Sequence, residues 1–269
     1  GMDHLGTTSL KILETECVAQ ITSDGTLLSR NPEELLKVFG LLIQIKITLN
    51  LAEVQIPEPV LNRISKMAPI LRSLRHGDGT LARFHGGSSG SEYFLDQTLA
   101  ASEVRPSIPQ ENAMGFARLT SGSTTVIVDA AAPNSGPDSF NAHASTCAFE
   151  LSTGRTPLIV SCGSGSSFGD NFHLAGRCTA SHSTMTIEGV NSSWFSKCAQ
   201  RHLSYLQDVP KIVKVQKTRA IDGVRLRINH NGYQGSHGLM HVRTLDLPVD
   251  GSGLIGEDEL YPPNKKDVK

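Results

Sequence analysis

The spacing of apolar residues divides the chain into a helical first quarter and a strand-rich remainder. Leu10, Leu13, Cys17 and Ile21 recur at helical intervals and form one stripe. Asp24-Gly25 interrupts it. The next helix has a defined start, with Asn31 as N-cap, Pro32 in the first turn and Glu34 placed for a capping box. From Leu35 to Leu49 this helix is apolar almost all round (Val38, Phe39, Leu42, Ile43, Ile45, Ile47), so it needs cover on most sides. A third helix places Val60, Ile64, Met67, Leu71 and Leu74 on one face, with Pro69 a predicted kink. Three helices with this much apolar surface read as part of a larger helical assembly.

The pattern changes at His76-Gly77-Asp78-Gly79, which sets the expected boundary between 1–75, helical, and 76–269, a β domain. Gly86 to Ser91 is turn or loop material. Short strand-like runs follow one another between polar turns: Thr80–Phe84, Met114–Leu119, Thr124–Asp129, His143–Leu151, Pro157–Cys162, Ser183–Glu188, Lys211–Thr218, Val224–Asn229 and Leu239–Leu247. Asp222-Gly223 predicts a hairpin. Many short strands with Gly-rich connections predict a mainly β fold, a sandwich or barrel, behind an N-terminal all-α segment. The tail after Tyr261 is expected to fray.

Composition narrows the partners. The 269 residues carry 25 Lys and Arg against 26 Asp and Glu, a formal net charge of -1, so the overall basic excess of a nucleic-acid binder is missing. A local basic cleft for an acidic polysaccharide remains compatible with that balance. No apolar run approaches the roughly 20 residues of a membrane span. Cys17, Cys147, Cys162, Cys178 and Cys198 show no metal spacing and read as free thiols, which favours a reducing compartment such as the cytoplasm. No signal peptide opens the chain, and Gly1-Met2 reads as the remnant of a cleaved tag.

Three segments carry a resemblance: Asn141-Ala-His143-Ala-Ser145-Thr-Cys-Ala-Phe149-Glu150-Leu151, Pro157-Leu-Ile-Val-Ser161-Cys-Gly163-Ser-Gly165, and Ser181-His182-Ser183-Thr-Met-Thr-Ile-Glu188-Gly189. Their order and spacing resemble the C-terminal domain of heparinase II/III-like proteins. There a pattern H-x-H-x-D leads into a strand, a later strand ends in D-x-G, and a further strand opens with a His. His230-Asn-Gly232-Tyr233 and His241-Val-Arg243 resemble further family elements, and Asp24-Gly25 with Ser29-Arg-Asn31-Pro32 resembles the end of the family's α/α toroid. The resemblance implies a large antiparallel, supersandwich-like β-sandwich preceded by the last helices of a truncated toroid.

Active members of that family are lyases that cleave uronate-containing polysaccharides by β-elimination. A base removes the C5 proton, a neutraliser steadies the enolate-like charge, and an acid protonates the O4 leaving group. The resemblance assigns Asn141, His143 and Tyr233 to catalytic positions, and Arg83, His85 and His230 become candidates for substrate binding. Arg118, His237 and His241 are further cleft candidates. His143 and His182 fall on metal-ligand positions, which implies a divalent ion such as zinc. The resemblance also implies an acidic polysaccharide as partner and the cell envelope or periplasm as location.

Three departures bear on this. Ser161 replaces the carboxylate ligand, and a hydroxyl is a far poorer donor to a divalent cation. Asn141 replaces a histidine and cannot shuttle protons, although its amide can hydrogen-bond a uronate carboxylate. Ser145 replaces a further Asp. The plainer reading of His143 and His182 is a pair of structural histidines satisfied by neighbouring groups. That of Tyr233 is a residue in a hairpin turn. Two function classes therefore stand side by side: a lyase homologue with degraded activity, and a non-catalytic carbohydrate-binding or structural sandwich. A metal-dependent hydrolase built on His143 and His182 is the third.

Overall fold

The structure is a computed structural model, and it describes residues 2–107, 109–196 and 204–263. Three helices open it: α1 (Met2–Gln20), α2 (Pro32–Leu51) and α3 (Glu58–Ser73). Asn31 caps α2 by accepting from the amides of Glu33 and Glu34, while Pro69 sits inside α3. Cys17 and Ile21 of the first stripe are buried, as are Val60, Ile64, Met67 and Leu71 of the third helix. On α2, Leu35, Leu36, Phe39, Leu42 and Ile43 are buried, whereas Leu41, Ile47 and Leu51 stand exposed.

A fourth helix, α4 (Glu92–Ser102), lies inside the stretch expected to be β. Ser91 caps it by accepting from the Phe94 amide, and Leu95, Thr98 and Leu99 are buried at helical spacing. The Gly-Ser run before it concealed this start, because Ser91 serves as cap and as turn residue alike.

Two antiparallel sheets follow. The first runs in the order β1 (Asn112–Ala113), β2 (Phe116–Ser121), β3 (Thr124–Asp129), β4 (Phe149–Thr153) and β5 (Thr156–Ile159). The helix α5 (Asp170–Arg177) and a small pair, β6 (Trp194–Phe195) with β7 (Leu206–Asp208), lie between the sheets in sequence. The second sheet has the order β11 (Ile255–Tyr261), β10 (Met240–Pro248), β9 (Gly223–His230) and β8 (Val213–Ala220), with a one-turn helix α6 (Gln234–His237) between β9 and β10.

Strand alternation explains how the layers stack. Ala117 and Leu119 of β2 and Val126 and Val128 of β3 pack with Val224, Leu226 and Ile228 of β9 and Leu245 and Leu247 of β10. Phe116 and Ile127 point the other way and join the core beneath the helices. The first sheet is thus the middle layer, and β3 is buried along its whole length. Gly223 opens β9 after the two-residue turn Ile221-Asp222, and a Cβ there would lie 2.3 Å from the Leu247 carbonyl.

Several expected strands are absent. Thr80–Phe84 is irregular apart from one bridge between Arg75 and Leu81, and Ser183–Glu188 is irregular apart from a bridge between Ile187 and Val190. The run starting at His143 becomes a strand only at Phe149, so the alternation expected for Asn141, His143, Ser145 and Cys147 does not hold. Residues 142–148 form a buried loop instead, tied by Ala144 N–H to the Arg177 carbonyl and by Cys147 N–H to the Asp129 carbonyl. The expected fraying after Tyr261 falls mostly on residues 264–269, and Cys198 lies in 197–203; both stretches are outside the described residues. The other four cysteines are unpaired, and no described helix is long and apolar enough to cross a membrane.

Candidate functional site

The loop 142–148 runs between two clusters of histidines. On one side His143 and His182 stack, their ring centroids 4.7 Å apart, although 39 residues separate them in sequence. His182 Nδ1 lies 2.9 Å from Ser161 Oγ, so the three positions singled out by resemblance meet in space. His85 completes the group through an exchange with His143. Its Nδ1 accepts from the His143 amide at 3.1 Å, and its own amide faces His143 Nδ1 at 3.2 Å.

None of these rings opens onto solvent: His85 and His143 are fully buried and His182 nearly so. Burial lowers the pKa of all three, that of His182 to about 4; repulsion from the neighbouring rings pushes His143 and His182 the same way, and Arg30 does so for His85. Beneath them lies Asp129, fully buried, with Ser145 Oγ donating to it at 2.7 Å and Arg30 at 2.5 Å. Burial would raise that carboxyl, but Arg30 and His85 outweigh it and hold Asp129 well below the usual carboxylate range.

The residues present do not fit the zinc that the resemblance implies. Both ring nitrogens of His143 face backbone amides, His85 N–H at Nδ1 and Gly86 N–H at Nε2, 2.8 Å away. A neutral imidazole has one lone pair to offer, and here a backbone amide faces it. The third position is the Ser161 hydroxyl, engaged with His182, and no carboxylate replaces it. Among the described residues, these histidines form no set of three convergent metal donors.

Across the loop, His230 and His241 pair through Nε2 and Nδ1 at 2.9 Å, and His241 Nε2 lies 2.7 Å from Asp258 Oδ1. Tyr233 is fully buried beside them, its hydroxyl donating to the Met185 carbonyl at 2.6 Å. Burial pushes that phenol well up. Tyr233 lies within the 231–234 turn between β9 and β10, and its side chain is buried.

Asn141 is different. It is exposed, and its Oδ1 lies 3.2 Å from Nε2 of the buried His173 on α5. Phe140 packs on the His173 ring at 5.0 Å, and Phe168 and Phe172 stand exposed nearby in sequence. Arg177 holds this lip from below, donating to the carbonyls of Ser139, Ala142 and Ser204 from a fully buried position. The Gly86–Ser88 turn closes against Asn141 and binds Glu33 at the start of α2, so the lip sits at the seam between helices and sandwich.

The remaining candidates are structural or peripheral. The Arg83 amide donates to the buried Glu150, which also holds His76. Arg118 Nη1 donates to the carbonyls of Ser73 and Arg75 at the end of α3. His237 is half-buried and touches Ser236. Sequence reasoning missed Arg30, Asp129, His173, Arg177 and Asp258. His173 and Arg177 share one helical face four residues apart, a signal hidden by the short length of α5.

Comparisons with known proteins agree with this architecture. The family description "Heparinase II/III-like, C-terminal" matches residues 104–269. A curated relative, FtsZ-localized protein C of Caulobacter vibrioides, is 31% identical over 256 residues, which cover 94% of this chain and 44% of the relative. The crystal structure of heparan sulfate lyase HepC from Pedobacter heparinus superposes with a TM-score of 0.69 at 15% identity, over 95% of this chain and 41% of that one. A heparinase III crystal structure gives 0.69 at 16%, over 95% and 43%. The chain spans less than half the length of these relatives. Its sandwich, its seam and the family match over 104–269 together place the chain in the heparinase II/III-like family.

Proposed function

We propose that this chain is a lyase-related module that recognises uronate-containing acidic glycans at the Asn141 lip without itself supplying the proton transfers of β-elimination. One observation carries the reading. Of the residues assigned to catalytic positions, Asn141 reaches solvent while His143 and Tyr233 are fully buried. A carboxamide does not ionise near neutral pH and so serves neither as general acid nor as general base, but its N–H donates well to a carboxylate. With Oδ1 turned to His173, the Asn141 NH2 group is left to do so. The exposed faces of Phe140, Phe168 and Phe172 offer apolar area against which sugar C–H faces stack.

The elimination would need a base at the C5 proton with an available lone pair. His143 has its nitrogens against backbone amides, and the Tyr233 hydroxyl is tied to a carbonyl. The donor set around His143 and His182 lacks the carboxylate that would hold a metal ion for such a step. The test is incubation of the chain with heparan sulfate, alginate and polygalacturonate, followed at the near-ultraviolet absorbance of unsaturated uronate ends. Glycan retention with flat absorbance supports the module; rising absorbance establishes a lyase.

A second reading concerns place. The 31% identity to a protein named for its localisation with FtsZ, over nearly the whole chain, favours a station at the cell-division machinery. A fluorescent fusion that stays diffuse while FtsZ rings are present would refute it.

A further inference from the structure

The second histidine cluster has a feature that glycan recognition does not use. Cys147 Sγ and one nitrogen from each of His230 and His241 all lie within 4.8 Å of one another, and all three residues are fully buried. Cys147 reaches this position with φ +71°, a left-handed conformation that a residue with a Cβ adopts only at a cost. None of the three belongs to the His143, Ser161 and His182 group.

The hydrogen bonds fix the protons. His241 Nε2 faces Asp258 Oδ1 at 2.7 Å, and Arg243 grips the same carboxylate at 2.8 and 2.7 Å, so Nε2 carries the proton and Nδ1 is bare towards the cluster. A carboxylate behind the distal nitrogen is the arrangement that orients metal-bound histidines. Gly232 N–H points at His230 Nδ1 at 3.1 Å, so His230 donates from Nε2 to His241 Nδ1 at 2.9 Å. The space between two imidazoles and a thiol therefore holds the Nε2 proton of His230 and the S–H proton of Cys147.

We propose that this is a binding site for a soft, low-coordinate monovalent cation, Cu(I), held by Cys147 Sγ, His230 Nε2 and His241 Nδ1. One thiolate with two imidazoles is a soft donor set. Three buried donors, with no fourth donor side chain among the described residues, suit trigonal Cu(I) better than tetrahedral zinc. Charge agrees: Cu(I) neutralises the thiolate while Asp258 and Arg243 neutralise each other, whereas Zn(II) would leave a positive charge in a dry interior. On binding, the S–H bond is replaced by S–Cu and its proton goes to solvent. The Nε2 proton of His230 moves to Nδ1 and the Gly232 amide turns away, which frees the Nε2 lone pair; His143 has no such tautomer, because both of its nitrogens face backbone amides. No electrons are transferred.

The experiment uses the full chain with Cys17, Cys162, Cys178 and Cys198 replaced by Ser, titrated anaerobically with Cu(I) against a chromophoric chelator. The expected result is one tightly held Cu(I) per chain, with copper-edge absorption showing one sulfur and two nitrogens. Zn(II) should bind at least a hundredfold more weakly. Cys147→Ala and His241→Gln should each lower Cu(I) affinity at least a hundredfold while circular dichroism reports a folded chain. Absence of stoichiometric Cu(I) in the folded parent overturns the proposal. So does an absorption spectrum without the sulfur–nitrogen set, or zinc binding the tighter of the two; these readouts on the parent decide the matter if a variant fails to fold.

Discussion

The Arg30 guanidinium lies 2.5 Å from the Asp129 carboxylate, joining the turn before α2 to the last residue of β3 across 99 positions of sequence. Arg30 also donates to the carbonyls of Met114, Gly115, Ala131 and Ala132, from a left-handed backbone at φ +54°. Every N–H that leaves water finds an acceptor. Removing one partner of such a pair strands a buried charge, which costs about 3–5 kcal/mol. Arg30→Ala and Asp129→Ala should each lower stability in urea by that order. The double variant should be less destabilised than the two single effects combined, and simple additivity would show that the pair is not coupled.

The same carboxylate sets an acid response. Asp129 has a folded pKa below its unfolded value near 3.9. Its stabilisation is therefore complete above about pH 4 and is lost as pH falls through the folded value, because the unfolded chain takes up the proton first. Asp129→Asn should flatten the fall of unfolding free energy between about pH 4 and pH 2, at the cost of lower stability at pH 7. An unchanged acid slope in equilibrium denaturation would assign the transition to other carboxyls.

Much of the sandwich was legible. The runs at β2, β3, β8 and β9 alternate or are continuously apolar, and Asp222-Gly223 marks the hairpin between the last two. The segment 142–148 was not legible, because it is as apolar as a strand yet meets β3 only at its end, Cys147 N–H donating to the Asp129 carbonyl, while Ala144 N–H donates to the Arg177 carbonyl on α5. Helix α5 is too short for periodicity to separate it from loop, and the strand β11, exposed on nearly every residue, has no buried face to read. In the site, family resemblance alone linked His143 to His182. Nothing in the spacing announced that both rings, with Tyr233, would be sealed inside.

Asn31 offers a local test. Its side chain accepts from two otherwise unpaired amides at the start of α2, 3.0 and 3.1 Å away. Asn31→Ala should cost about 1 kcal/mol, within the range of 0.5–2 for such caps, and Asn31→Ser should restore most of it. Thermal melts that separate neither variant from the parent would deny the cap a role.

Arg177 is the support of the Asn141 lip, with every contact to a main-chain carbonyl or an aromatic face, Phe195 at 4.9 Å among them. Arg177→Met keeps the bulk but strands the carbonyls of Ala142 and Ser204, while that of Ser139 keeps the Ala142 amide as donor, so a loss of about 2 kcal/mol is expected, at roughly 1 kcal/mol for each stranded acceptor. Glycan retention should fall with it, even though Arg177 touches no solvent. Full stability in a urea titration would remove Arg177 from this role.

The central claim is that the chain holds a uronate glycan at Asn141 and leaves it intact. Calorimetric titration with a defined uronate oligosaccharide, with chromatography of the recovered sugar, tests it most directly. The account predicts saturable binding, weakened about tenfold in Asn141→Ala, the loss of one charge-assisted hydrogen bond of about 1.4 kcal/mol, and sugar recovered at its original length. Shortened, unsaturated products, or affinity indifferent to Asn141, would contradict it.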